Sequence, residues 1–365
     1  MRTRLSLFFG IFAVMALSNA IVPVLPGYAA ESSVQGTIYS AYFLGAFATT
    51  LMGGILSDRY GRAPLIRSGL IITVASGLLL SVLTAAVPVI AIRLLEGVGA
   101  GFFVAAAMSY VNSLPDHERM SGWFMAFLNA GLVGGLVIAG WLAANTPIPA
   151  NGILFFAGMT IIPAVASFFI RDLPAGSLKK DYKAVLIRMV NDYRWLWYSA
   201  IILVGTTGVV TSLYPEFSGY SPDTVGIWIS LMSIATILAV LVVSRLSLPP
   251  VPAIRWSAAL MVVAVMVSFY SPLGFILIGI LAGIVMIAQM SYLAGVKNHQ
   301  GTAMGLFSTT SYLGMGILPV MAGLIADSVG FFSAFCATAL LALTVFFTIG
   351  RCNCPGKTAV LGIHD

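Results

Sequence analysis

Charged side chains are scarce in this chain. Asp, Glu, Lys and Arg together make up 8% of its 365 residues, whereas soluble proteins carry about 25%. Hydrophobic residues make up 59%, and the mean hydropathy is +1.01. A water-soluble fold could not hide this much apolar surface. The composition therefore excludes such a fold and predicts a chain whose solvent is the lipid bilayer.

Cysteine and histidine are also too few for several kinds of site. Cys336 lies in the last apolar run, and Cys352 and Cys354 stand in the tail as C-N-C. We expect reduced, unligated thiols, with a metal site or lipid attachment in the tail as the alternative. The sequence contains no phosphate-cradling loop, no cluster with metal-ligand spacing and no nucleophile–base pair inside its apolar runs. It predicts a protein that is not an enzyme and has no cofactor and no metal site.

Long apolar runs are abundant. A transmembrane helix needs about 20 apolar residues, and runs of this kind fill nearly the whole chain. They lie near 5–25, 34–56, 65–84, 88–111, 120–143, 151–170, 195–214, 223–244, 254–271, 273–296, 302–326 and 329–350. The first run begins like a signal peptide, but it continues to Leu25, and we interpret it as a retained helix. We predict an all-α polytopic membrane protein with twelve transmembrane helices.

The basic residues divide sharply between the predicted loops. If the N-terminus lies in the cytoplasm, the cytoplasmic segments hold 17 of the 18 Lys and Arg residues and the outer loops hold none. The outer segments carry Glu31, Glu216, Asp223 and Asp327. The positive-inside rule describes this distribution, so both termini are predicted to be cytoplasmic, in the cell membrane. The net charge of +6 then reflects contact with an anionic inner leaflet rather than nucleic-acid binding.

The longest cytoplasmic segment divides the chain into two halves. We predict an N-terminal six-helix bundle over 1–170, a linker over 171–194, a C-terminal six-helix bundle over 195–350 and a cytoplasmic tail over 351–365. Within the linker, apolar residues recur at helical spacing and most of the basic residues lie off that face. This pattern indicates a helix lying on the membrane surface, with a plain solvated linker as the alternative.

An internal repeat supports the division. When the chain is offset by 183 residues, GWFMAFLNAGLVGGLVIAGWLA (122–143) lies over GLFSTTSYLGMGILPVMAGLIA (305–326). The aligned glycines include Gly131 with Gly314 and Gly140 with Gly323. The offset is half the chain length, so we infer a duplicated six-helix unit. Two such halves suggest a parallel-repeat transporter with its substrate site between them.

Residues 54–62, GILSDRYGR, resemble the major facilitator superfamily signature G-x-x-x-D-R-x-G-R. In that family the signature lies between the second and third helices on the cytoplasmic side, where it also falls here. The resemblance extends over the whole chain. It implies two pseudo-symmetric six-helix bundles that work by alternating access.

The resemblance also implies a mechanical role for this signature. Its aspartate, here Asp58, is expected to meet the start of the eleventh helix, whose free N–H groups and partial positive charge favour a carboxylate. Gly54 would allow close helix approach and Gly61 a tight turn, with Arg59 and Arg62 beside them. We expect a conformational latch between the halves; the alternative is a topology anchor alone.

The matching turn of the second half differs. VSRLSLPPVPAIR (243–255) keeps Pro252-x-Ile254-Arg255 in correspondence with the stretch that ends at Arg67, but it lacks the Asp-Arg core. The latch is therefore expected to be one-sided.

Arg93 and Glu96 are the only charged residues well inside a predicted span. Their stretch RLLEGVG looks like the family motif R-x-x-Q-G-x-G with Glu for Gln. Buried ionisable groups usually face a cavity or each other, and i, i+3 spacing puts these two on adjacent parts of one helix face. One hypothesis makes Glu96 the coupling proton site and Arg93 its counter-ion, with Asn19 orienting one of the two. The other is a static ion pair that holds the fourth helix.

Two further motifs are similar to those of drug–proton antiporters in the family. The first span ends in N-A-I-V-P-V-L-P, where Asn19 replaces the Asp of D-x-x-x-P-x-x-P. In the fifth span Leu136 replaces the proline of the antiporter motif. The glycines of that motif, which we expect to allow close helix packing, are Gly122, Gly131, Gly135 and Gly140.

The family's substrate cavity is lined by the first, fourth, seventh and tenth helices. The candidate lining residues are Asn19, Arg93 and Glu96 from the first half and Thr206, Thr207, Thr211, Tyr214, Gln289 and Tyr292 from the second. Each polar candidate is otherwise a satisfied core group. The second half supplies no buried charge, which favours an apolar or singly charged substrate over a phosphate.

We therefore predict a secondary transporter that exports a small molecule with proton coupling. Its predicted partners are the small-molecule substrate, protons and a bilayer with an anionic inner leaflet, and it is expected to act as a monomer without nucleic acid. Metabolite uptake or uniport, a transporter-like scaffold or sensor, and a membrane-embedded enzyme remain the alternatives.

Overall fold

Twelve long α-helices and one short α-helix build the part of the chain that the structure describes. The computed structural model describes residues 2–114, 116–170, 182–246, 248–294 and 300–351. Its α-helices are α1 (Arg2–Ala20), α2 (Ser32–Tyr60), α3 (Arg62–Leu80), α4 (Ala86–Asn112), α5 (His117–Asn145), α6 (Asn151–Ser167), α7 (Tyr182–Asp192), α8 (Arg194–Ser218), α9 (Pro222–Val243), α10 (Pro250–Tyr270), α11 (Gly274–Ala294), α12 (Gln300–Val329) and α13 (Phe331–Thr348). Short 3-10 helices cover Val22–Gly27 and Ile349–Arg351.

The helices suit a lipid environment. Ten described helices are long and apolar enough to cross a membrane by length and composition, α6 is apolar but has 17 residues, and α2 has 29 residues with more Ser, Thr and Tyr. In lipid, every backbone donor and acceptor must be satisfied inside the protein, so apolar runs form helices. Each of the twelve predicted spans is a separate helix.

The first helix ends earlier than its apolar run. α1 stops at Ala20, and the chain continues as a 3-10 helix through Pro23 and Pro26. Proline has no N–H to donate and its ring clashes with the preceding helical turn. The predicted single span over 5–25 is therefore a helix with a differently wound extension.

The second helix ends later than predicted. α2 continues to Tyr60 rather than stopping near 56, so the backbone of Asp58 and Arg59 lies in its last turn. Gly61 alone separates α2 from α3, and its φ of 91° is a conformation that favours glycine. The charged signature is thus a helix end and not an open loop.

Two six-helix bundles repeat the same packing. In the first half α1 packs against α5 and α6, α2 against α4, and α3 against α4 and α6. In the second half α8 packs against α12 and α13, α9 against α11, and α10 against α11 and α13. The two halves contact each other chiefly through α2 with α12 and α5 with α9. The fold is therefore the pseudo-symmetric pair of bundles that the internal repeat predicts.

Matched side chains extend the pseudo-symmetry to single contacts. Arg67 Nε donates to the Ser167 carbonyl at the end of α6 (3.2 Å), and Arg255 Nε donates to the Phe346 carbonyl near the end of α13 (3.0 Å). Basic side chains commonly bond the last carbonyls of a helix in this way. The retained Arg of the second turn therefore serves the same packing role as Arg67.

The loops define two ends of the molecule. The acidic end carries the connections at 28–31, 81–85, 146–150, 219–221, 271–273 and 330; the basic end carries the others. At the acidic end the 3-10 helix Val22–Gly27 contacts α8 and α9, and the start of α9 touches Gly140 of α5. These contacts close the acidic end between the halves.

The short helix α7 lies within the predicted linker, just before α8. Met189 is buried, whereas Arg188 is exposed and pairs with Asp192 at 3.5 Å. Trp197 Nε1 donates to the Met189 carbonyl over 3.0 Å and joins α7 to α8. The exposed side chains of α7 include the apolar Ile187 and Val190 as well as Arg188, so its outer face is not purely polar. Lys179, Lys180 and the rest of 171–181 lie outside the described residues.

Candidate transport site

A buried ion pair lies in the first half of α4. Arg93 Nη1 contacts Glu96 Oε2 at 2.7 Å, and the two side chains are 1% and 0% exposed. The i, i+3 spacing brings them onto one helix face, as the sequence predicts. Gly97 follows Glu96 and contacts the Tyr42 carbonyl, so α2 lies directly against α4 at this level. The ion pair is sealed between the helices of the first half.

Arg93 is held by three helices. Its Nη2 donates to the Ser18 carbonyl of α1 at 3.2 Å, and its Nε donates to the Ile38 carbonyl of α2 at 3.5 Å. The guanidinium carbon lies 4.8 Å from the centre of the Tyr42 ring, a cation–π distance. Arg93 therefore keeps favourable partners in α1 and α2 independently of Glu96.

Glu96 is supported much less. Oε2 accepts from Arg93, but Oε1 is buried and has no hydrogen-bond partner among the described residues. A buried polar atom without a partner is unusual and calls for an explanation. The charged carboxylate is therefore held, within the described structure, by the single donor Arg93.

An aromatic layer separates the ion pair from the second half. The ring centres of Tyr39 and Phe43 lie 5.0 Å apart, those of Tyr42 and Phe43 lie 5.1 Å apart, and Tyr312 of α12 lies 6.2 Å from Phe43. Thr211 of α8 lies beside Tyr39. Sequence reasoning missed this layer, although the i, i+3, i+4 spacing of its α2 members was a usable signal. It links Arg93, through Tyr42, to the interface between the halves.

The other polar candidates of the second half do not gather around the ion pair. Thr206 and Thr207 donate to carbonyls of their own helix, at 2.8 and 2.7 Å. Tyr214 makes an edge-on contact with Phe275 at 4.6 Å, and Tyr292 one with Tyr193 at 5.9 Å. Among the candidates from this half, Thr211 adjoins the aromatic layer through its hydrogen bond with Tyr39.

Two amide side chains have different surroundings. Asn19 Nδ2 donates to the Leu132 carbonyl of α5 at 3.2 Å, so it faces α5, while its neighbour Ser18 supplies the carbonyl that binds Arg93. Gln289 is fully buried in α11; its Nε2 donates to Ser199 Oγ at 2.9 Å, and its Oε1 has no partner in the described structure. Gln289 therefore offers one free acceptor in the second half.

Three of the four motif glycines contact another helix. Gly131 and Gly135 lie against the carbonyls of Phe12 and Ala16 in α1, and Gly140 lies against Pro222 of α9. A Cβ at Gly122 would meet no described atom within 4 Å. The structure thus places the first two at an intrahalf contact and the third at the contact between the halves, and it does not bring Gly122 into either.

The signature turn is described only in part. Its backbone is helical up to Gly61, and Arg62 begins α3 half-buried. Gly54, Asp58 and Arg59 lie outside the residues whose side-chain surroundings are described. The contact predicted between Asp58 and the eleventh span therefore stays a prediction.

A family model named Major Facilitator Superfamily matches residues 7–317 of the chain. The chain belongs to the major facilitator superfamily. Among curated proteins it is 24% identical over 354 residues to multidrug resistance protein 2 of Bacillus subtilis, covering 87% of both chains. It is also 24% identical over 349 residues to the quinolone resistance protein NorA of Staphylococcus aureus, covering 88% of this chain and 89% of NorA.

Solved structures agree on the fold. A mutant of the nucleoside transporter NupG superposes with a TM-score of 0.78 at 13% identity, covering 96% of this chain and 99% of NupG. As a member of the superfamily, the protein is a multi-pass membrane transporter with a small-molecule substrate.

Proposed function

We propose that this protein exports a small, apolar or singly charged molecule across the cell membrane by alternating access, in exchange for protons. One observation carries the proposal: a fully buried Arg93–Glu96 pair with one unsatisfied carboxylate oxygen, one aromatic layer away from the second half. Ionisable groups inside a membrane commonly mark proton relays.

The proton would act on Glu96 because the two partners are unequally held. When Glu96 is charged, Arg93 is drawn toward α4 by the ion pair. When Glu96 is neutral, Arg93 is attracted mainly by the carbonyls of Ser18 and Ile38 and by the Tyr42 ring. Protonation therefore shifts the balance of forces between α4 and the helix that contacts the second half.

The arrangement of the halves supports alternating access. Their interface consists of two helix pairs, α2 with α12 and α5 with α9. Rigid-body rocking of one such bundle against the other exposes a central site to each side in turn. Contacts between the halves close the acidic end, and we therefore assign this structure to a state whose substrate site opens toward the basic end.

The charge distribution supports the orientation. Since no Lys or Arg lies in the loops of the acidic end, the positive-inside rule places that end outside and both termini in the cytoplasm. The basic end then faces the anionic inner leaflet of the cell membrane. We propose that the protein acts as a monomer, since each chain contains both halves of the site.

The substrate class follows from the interface and from the relatives. Tyr39, Tyr42, Phe43 and Tyr312 offer aromatic faces at the interface between the halves. Two relatives are named for multidrug and quinolone resistance. Both observations favour an aromatic, drug-like compound over a multiply charged metabolite.

Reconstitution tests the proposal. Purified protein in liposomes is screened with aromatic compounds, and substrate movement is measured with and without an imposed pH gradient. We expect the substrate to accumulate against its gradient only when protons can flow down their own gradient in the direction opposite to substrate movement. Substrate movement that does not depend on the pH gradient would identify a uniporter. The absence of any substrate-dependent conformational change would identify a scaffold or sensor.

A further inference from the structure

The end of α12 repeats the local structure of the signature turn. Asp58 is the third residue from the end of α2 and is followed by Gly61 at φ 91° and ψ 161°. Asp327 is the third residue from the end of α12 and is followed by Gly330 at φ 97° and ψ 163°. Two D-x-x-G turns of one geometry therefore end the two helices that join the halves, at opposite ends of the molecule.

Asp327 binds the start of α2 across the interface. Its Oδ1 accepts from the Ser32 amide at 2.8 Å and its Oδ2 from the Ser33 amide at 2.9 Å. The first amides of a helix have no partner within the helix and carry partial positive charge. Glu31, the residue before α2, makes no side-chain cap. The carboxylate that caps α2 thus comes from the other half of the protein.

Neighbouring contacts reinforce this cap. Ser32 Oγ donates to Glu216 Oε2 of α8 at 2.6 Å, which adds a second element of the second half. A Cβ on Gly323 would lie 2.6 Å from the Ser32 carbonyl, so the glycine allows α12 to reach the start of α2. Geometry and packing therefore agree on one close junction.

We propose that Asp327 and the N-terminus of α2, with the Ser32–Glu216 hydrogen bond, form a latch that holds the acidic end closed. It is the counterpart, at the opposite end of the α2–α12 pair, of the latch expected from Asp58. Because α2 and α12 are antiparallel, each helix end can cap the start of its partner. The inference rests on the proposed alternating access, since a latch has meaning only if the acidic end opens.

Distance measurements between spin labels test the latch directly. Labels are placed on cysteines introduced at Val82 and Tyr270, which are 73% and 74% exposed at the acidic end of the two halves. The three native cysteines are replaced by serine. The full-length protein is measured in lipid nanodiscs with double electron–electron resonance, and the ratio of long to short distances gives the ratio of open to closed acidic ends.

Asp327→Ala is expected to raise that ratio about fivefold, equivalent to about 1 kcal/mol, the typical contribution of one helix N-cap. Asp327→Asn is isosteric and can accept only one of the two hydrogen bonds, so it should give a smaller rise. It allows the latch to be tested even if the alanine variant folds poorly. Glu31→Gln is the matched control, because it removes an adjacent carboxylate without a latch hydrogen bond and should leave the ratio unchanged.

Equal distance distributions in wild type and both Asp327 variants would overturn the latch. A shift of the same size in Glu31→Gln would also overturn it, because general surface charge would then explain the effect. A shift confined to Asp327 supports the latch whether or not the protein moves protons. The spin-label distances can therefore contradict the latch without contradicting the proton-coupled export, and the liposome transport measurements can do the reverse.

Discussion

Arg93 and Glu96 form one ion pair but depend on it to different degrees. Arg93 also contacts two carbonyls and an aromatic face, whereas Glu96 has no partner other than Arg93 among the described residues. Loss of Arg93 leaves a carboxylate buried alone, while loss of Glu96 leaves a cation that is still solvated by protein groups. Removing Glu96 should therefore destabilise the protein less than removing Arg93.

We predict that Arg93→Leu destabilises the protein by about 3–5 kcal/mol, the usual cost of leaving one member of a buried pair. Glu96→Leu should cost less, and the double variant should recover part of the Arg93→Leu loss. Unfolding in detergent micelles across this double-mutant cycle measures the coupling. Equal losses in the two single variants would contradict the asymmetry, and strictly additive losses would contradict the coupling.

Sequence spacing predicted the ion pair because charge is so rare in the apolar runs that each case is informative. The aromatic layer could not be predicted in this way, because Tyr39 and Phe43 are of the same residue types as aromatic side chains that face lipid. Asp327 was treated as an outer charge that reports topology. Its contact with Ser32 depends on how α12 meets α2, which local sequence does not determine.

At the scale of single helices, the apolar pattern predicted the elements well and their ends less well. Apolar runs must form helices in lipid, but an end depends on which residue first prevents another turn. In α1 the prolines do so before the run is over. In α2 the polar residues Asp58 and Arg59 continue the helix, and Gly61 ends it.

Helix packing gives a matched prediction. Gly131→Val should destabilise the protein by about 1–3 kcal/mol, since the added methyl groups meet the Phe12 carbonyl of α1. Gly314→Val should have a similar cost, because its pseudo-symmetric contact is the Ile201 carbonyl of α8. Gly122→Val is the control and should change the melting temperature little. An equal loss in all three variants would contradict the packing described here.

At the scale of the whole molecule, the halves are bundles of like packing joined by two helix pairs. The duplication was visible in the sequence as an offset of 183 residues between glycine patterns. Gly131 and Gly314 occupy equivalent places, each against the first helix of its own half. Which end of the molecule is closed depends on contacts between the halves, and these have no signature in local sequence.

Closure of the acidic end can be made permanent. We predict that a disulfide between Ser33→Cys and Asp327→Cys stops substrate movement, because it joins the halves where they must separate. Reduction should restore movement, and either single cysteine variant should be insensitive to oxidant. Continued transport by fully cross-linked protein, quantified on a gel, would rule out opening at this end.

The central claim is that Glu96 carries the coupled proton, and substrate-driven proton flux in liposomes tests it most directly. Wild type should move protons when substrate is added. Glu96→Gln should still exchange labelled for unlabelled substrate but move no protons, and Asp192→Asn, an exposed acid-to-amide control, should behave as wild type. Proton flux of normal size in Glu96→Gln, together with normal substrate movement, would contradict the account.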